Sequence, residues 1–135
     1  MASDALAHVN WLAVLVAALV GFALGGLWYG PIFGRVWAQE TGMTKERAKT
    51  ANMPKIYLTV LLLNLITATS LAMFIGAGDL SFGAFAGFMT GASFVATSMA
   101  VIYLFEMRSL RLWWINAGFM VVFFTLMGVI LGAWH

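Results

Sequence analysis

The chain has 135 residues, 63% of them hydrophobic and 9% charged, with a formal net charge of +2 and a mean hydropathy of +0.96. A soluble domain carries about 25% charged residues, and no water-soluble fold of this size could hide so much apolar surface. The absence of cysteine excludes a disulfide framework and thiol chemistry.

A bilayer accommodates what a soluble core cannot, because about 20 predominantly apolar residues cross roughly 30 Å of hydrocarbon. Residues 10–30, 56–77, 82–105 and 112–134 qualify. Such segments must be helices, since a strand edge in lipid leaves backbone groups unpaired and alternating segments are too few for a closed barrel. The expected fold is all-α, a four-helix transmembrane bundle forming one integral membrane domain over residues 1–135. These residues leave no room for a separate soluble catalytic domain.

The first stretch follows "MASDALAH", which holds Asp4 but neither Lys nor Arg. Its apolar run is longer than that of a cleaved leader, so it reads as a retained span. Ala17, Gly21 and Gly25 share a face with Asn10 and Trp28. Pro31 lacks an N–H and biases Gly30 away from the α region, which predicts an end or kink at Gly30. Trp28, Tyr29 and Trp37 suit the membrane interface, Arg35 can reach headgroups, and Phe33 and Gly34 let the chain return shallowly. Trp28, Tyr29, Pro31, Phe33, Gly34 and Trp37 thus form an interfacial motif. "TKERAKTAN", residues 44–52, predicts a short surface helix capped by Thr44 and ending before Pro54, with a thin apolar face.

The second span carries Asn64, the deepest amide, with Thr67 one turn on. In the third, Gly83, Gly87 and Gly91 repeat every four residues, the spacing that lets helix backbones approach in lipid. A helical wheel sets Ala86, Thr90, Ser93 and Thr97 beside them and turns Phe85, Phe88 and Met99 away. The fourth span is two-sided. Gly118, Thr125, Gly128 and Gly132 form a small face, opposite a bulky seam of Asn116, Met120, Phe123, Met127, Ile130 and Trp134. A two-sided helix has more packing surface than one neighbour uses, which predicts oligomerisation or docking; packing within one chain explains the glycines equally well.

Arg35, Lys45, Arg47, Lys49 and Lys55 fall in the first connection, Arg108 and Arg111 in the third. All seven basic residues therefore share one side, which the positive-inside rule makes cytoplasmic. Both termini are then expected outside. Topology and attraction to anionic lipid account for the basic excess, so no nucleic-acid partner is implied.

Glu106, at the cytoplasmic end of the third span, is expected to pair with Arg108 and Arg111. Asn64, Glu106 and Asn116 are the candidate polar site, with interhelical hydrogen bonding favoured over substrate coordination for the two amides. His8 and His135 fall short of a metal's usual ligand set, and no phosphate loop, carboxylate pair or HExxH motif occurs. No enzyme activity, cofactor or metal is expected.

"NWLAVLVAALVGFALGGLWYGPIFGRVW", "FVATSMAVIYLFEMRS" and "INAGFMVVFFTLMGVILGAW" together resemble the bacterial membrane proteins grouped as the domain of unknown function 1761 family. The most specific elements are the interfacial motif above, Phe105 with Glu106, and Asn116, Gly118, Met127 and Gly128. The resemblance implies a compact four-span protein with no assigned activity, and it raises Glu106 and Asn116 as candidates. Similar proteins often have Ser where this chain has Gly30, and a Tyr-His pair where it has Phe119 and Met120.

The expected function is that of a non-enzymatic protein of the bacterial inner membrane acting through helix association, as a homo-oligomer or an accessory subunit of a larger complex. The alternative is a small oligomeric transporter or channel for a neutral or lipophilic solute, its path lined by Asn64, Thr67, Thr90, Ser93, Thr97 and Asn116.

Overall fold

The computed structural model describes residues 6–134, and every regular element among them is a helix. Asp4 and His135, invoked above, lie outside the described residues. Helix α1 (Trp11–Ile32) is followed by two short helices, α2 (Gly34–Thr41) and α3 (Lys45–Lys49). Three long helices follow: α4 (Met53–Ile75), α5 (Leu80–Phe105) and α6 (Leu110–Ala133). Helices α1, α4, α5 and α6 are each long and apolar enough to cross a membrane.

Polar side chains fix where the helices begin. Asn10, Thr44, Asn52, Asp79 and Ser109 each accept a backbone N–H from three residues ahead, satisfying one of the donors that a helix start leaves open. Asn52 and Pro54 start α4 at Met53 rather than at the first strongly apolar residue, because proline tolerates a first turn.

Pro31 does not end α1 at Gly30. The helix widens into a π turn over Trp28–Ile32, which makes room for the proline ring, and closes with the Phe33 N–H donating to the Trp28 carbonyl at 2.8 Å. After Phe33 the chain continues directly into α2, which begins at Gly34. A Cβ at Gly34 would stand 2.5 Å from the Tyr29 carbonyl oxygen, so only glycine allows this junction.

Helix α6 occupies the centre and packs on α1, α4 and α5, whereas α4 and α5 barely meet. Its two faces are both used within the chain. On the small face, a Cβ at Gly83 would strike the Gly128 carbonyl, one at Gly87 the Phe124 carbonyl, and one at Gly91 would fall 2.8 Å from Val121 Cα. Gly132 fits against Asp79 and Gly83 in the same way. On the bulky face, Phe119, Phe123 and Met127 are buried against Ala13, Val14, Ala17, Ala68 and Leu71 of α1 and α4. In a lipid surround, which is as apolar as leucine, such a face gains from close van der Waals packing rather than from escape from water. The surplus surface that suggested association from the sequence is thus taken up by three neighbours in the same chain. The seam is buried at Phe123 and Met127, partly buried at Met120 and Ile130, and ends in an exposed Trp134.

A straight wheel also misplaces the second half of α5. A π turn over Thr90–Ala96 inserts one residue into the repeat, so the buried series runs Gly83, Gly87, Gly91, then Ala96 and Tyr103. Ser93 and Thr97 are thereby exposed instead of flanking the glycines, and Met99 is half-buried. The Trp113 indole N–H donates to the Ala96 carbonyl at 3.0 Å, tying the end of the π turn to α6.

The two basic connections meet. Ser109 Oγ donates to Glu40 Oε2 at 2.7 Å, and Arg111 lies 3.9 Å from the same carboxylate. At the opposite end Asn10 Nδ2 reaches the Trp134 carbonyl at 3.5 Å.

Candidate functional site

The motif at the end of α1 folds back on α6 through its aromatic side chains. The Trp28 indole N–H donates to the Ile115 carbonyl at 2.9 Å, and its ring lies beside Phe33 and Phe119. Tyr29 meets Trp37 and Phe119 edge-on, so α2 is pinned beneath the end of α1. The Tyr29 hydroxyl donates to Asn116 Oδ1 at 2.6 Å, and Asn116 Nδ2 donates to the Tyr103 hydroxyl at 2.7 Å. One amide thereby joins α1, α6 and α5, each link of a kind that averages about 0.6 kcal/mol between membrane helices.

Asn64 stands apart from this link. It is 9% exposed, and its Nδ2 donates to the Ala18 carbonyl of α1 at 3.3 Å. Glu106 is at neither place: it lies exposed past the end of α5 and pairs with Arg108 at 3.2 Å, while Arg111 turns to Glu40. Arg108 in turn covers the Tyr103 ring, 5.1 Å from its centre. The three candidate polar residues therefore occupy three separate settings.

The hydroxyl-bearing residues proposed as a path are divided as well. Thr67 and Thr90 line a groove of about 710 Å³ between α4 and α5, floored by Phe124. Asn64 lines a second groove, of about 660 Å³, bounded by α1, α4 and α6. Ser93 and Thr97 face outward, and the Thr90 and Thr97 hydroxyls bond within their own helix. Neither groove is lined by all six residues of that path.

The second groove owes its shape to α1. Gly21 lies under the Phe123 ring and Gly25 in contact with Phe119, whereas a Cβ at Gly26 or Gly30 would meet nothing within 4 Å. Tyr57 stands at the rim with its ring edge-on to Phe22, 5.7 Å between centres. Sequence reasoning had no hold on Tyr57, Tyr103, Glu40 or Trp113. Their ordinary interfacial appearance hides partners 13 to 69 residues distant.

Among the described residues, no group of three His, Cys, Asp or Glu side chains gathers to hold a metal. What the fold defines is an all-helical bundle with four potential membrane spans, an aromatic clamp at one end and two lateral grooves. Within that class the chain belongs to the family described as "Protein of unknown function (DUF1761)", which matches residues 12–132. No curated protein and no solved structure matches it.

Proposed function

We propose that this is a non-enzymatic integral protein of the bacterial inner membrane that acts through helix contacts in the bilayer, as a homo-oligomer or an accessory subunit. The observation that carries this reading is the gap between α4 and α5. These helices both pack on α6 yet scarcely touch each other, leaving an apolar groove about 710 Å³ in volume that none of the described residues fills. Exposed Phe74 and Phe94 stand on its two walls, where a transmembrane helix of a second copy or another protein would pack between them. The internal glycine faces take no part, being occupied within the chain.

Native mass spectrometry after gentle extraction at endogenous expression tests this. A defined oligomer or a stoichiometric partner is expected, lost when Ser70→Trp fills the groove; a wild-type monomer without partner would refute the reading. The basic connections face the cytoplasm in this arrangement. In a chain without natural cysteine, Ala77→Cys should react with an impermeant thiol reagent on intact spheroplasts and Thr50→Cys only after permeabilisation; the opposite pattern inverts the topology.

A further inference from the structure

We propose that the groove bounded by α1, α4 and α6 is a binding site for a neutral lipid with a free hydroxyl head, of the diacylglycerol or long-chain alcohol kind. The groove has a bare wall, a buried polar floor and no acidic or basic side chain in its lining.

The bare wall comes from Gly26 and Gly30, which line about 660 Å³ of space and have nothing within 4 Å of where a Cβ would stand. Elsewhere in this protein glycine serves close packing, as at Gly83, Gly87 and Gly128. Here it keeps a volume open, and that volume falls within the range of small-molecule sites.

The polar floor is Asn64, nine-tenths buried and lining the same space. Its Nδ2 is committed to the Ala18 carbonyl, but its Oδ1 accepts no hydrogen bond among the described residues. That oxygen is also not sealed from contact, since no fully buried side-chain polar atom lacks a partner among those residues. It therefore opens on the groove as a free acceptor.

Pro31 adds no acceptor to this wall: the π turn skips the residue without an N–H and closes with the Phe33 N–H on the Trp28 carbonyl. The free Asn64 oxygen selects a ligand that donates, which is a hydroxyl rather than a ketone or ester.

No Asp, Glu, Lys, Arg or His lines the groove. A charged head drawn down to Asn64 would stay unpaired at high cost, so the ligand is neutral. Its apolar body meets Phe119, Phe123 and Met120, and Tyr57 at the rim can follow the head with its own hydroxyl. This assignment does not depend on whether copies of the chain associate.

The experiment is native mass spectrometry of the protein in micelles containing equal dioleoylglycerol and dioleoylphosphatidylcholine. Wild type is expected to retain one dioleoylglycerol at least tenfold in preference. Gly26→Leu, whose Cβ has nothing within 4 Å and whose side chain would extend into the groove, should lower that retention at least tenfold at an unchanged melting temperature. Asn64→Leu should remove the preference for the alcohol, and Phe94→Ala, in the other groove, should change nothing. Equal retention of the two lipids by wild type, or undiminished dioleoylglycerol on folded Gly26→Leu, would overturn the assignment.

Discussion

Gly87→Leu should lose about 3 kcal/mol or more of folding stability, the upper end of what overpacking costs, because the obstruction is backbone and cannot rotate aside. A Cβ at Gly87 would overlap the Phe124 carbonyl and stand 3.1 Å from Thr125 Cα. Leucine there forces α5 from α6 over the contact that also seats Gly83, Gly91, Gly128 and Gly132. The measurement is unfolding in mixed micelles by increasing dodecyl sulfate, followed through the fluorescence of the six tryptophans. Gly26→Leu is the matched control, since it adds the same side chain on another long helix where the Cβ has nothing within 4 Å. Wild-type midpoints for both variants would mean that the glycine stripe is not the seam that holds α5.

The glycine stripe shows how far the sequence reaches. Spacing by four residues identifies Gly83, Gly87 and Gly91 as a close-approach face, because in lipid only small residues bring backbones together. Spacing says nothing of which helix approaches. The partner is α6 of the same chain, and that follows from the α6 glycines falling opposite them in space. Helix positions were legible for a similar reason, since long apolar runs are local signals, whereas of the capping side chains only Thr44 stood out and the starts at Met53, Leu80 and Leu110 did not.

What stayed hidden was non-local or lay in a change of helical period. The π turn over Thr90–Ala96 has no composition that announces it, yet it rotates Ser93 and Thr97 outward and brings Ala96 and Tyr103 in. The turn at Pro31 is the milder case: proline marks a disturbance, but ending the helix and widening it are alternatives that the sequence leaves open. The amides Asn64 and Asn116 stand out in the sequence as costly polar groups in apolar runs. Their partners, Ala18 in one case and two tyrosines in the other, come from other helices. The grooves were not legible, because a void depends on what fails to reach it.

Phe123→Ala should cost about 2–3 kcal/mol, and its size tests what drives this fold. Phe123 is 4% exposed, lies over Gly21 and packs on Phe119 and Phe124 with ring centres 5.5 and 5.3 Å away. In water the loss would combine a transfer term with a cavity term; in lipid the transfer term nearly vanishes because the unpacked ring still meets hydrocarbon. Removing roughly 100 Å³ of side chain at about 24 cal/mol per Å³ of cavity leaves about 2.4 kcal/mol. Phe74→Ala, at a ring 80% exposed, should cost almost nothing by the same unfolding assay. A second substitution sharpens the test. Gly21→Ala alone would set a methyl 2.5 Å from the Phe123 ring and should destabilise, but with Phe123→Ala that methyl enters the space the ring has left. The double variant should therefore be more stable than the sum of the single losses by at least about 0.5 kcal/mol, the lower bound for residues in contact. Additive losses would mean that α1 and α6 are not seated on each other at this point.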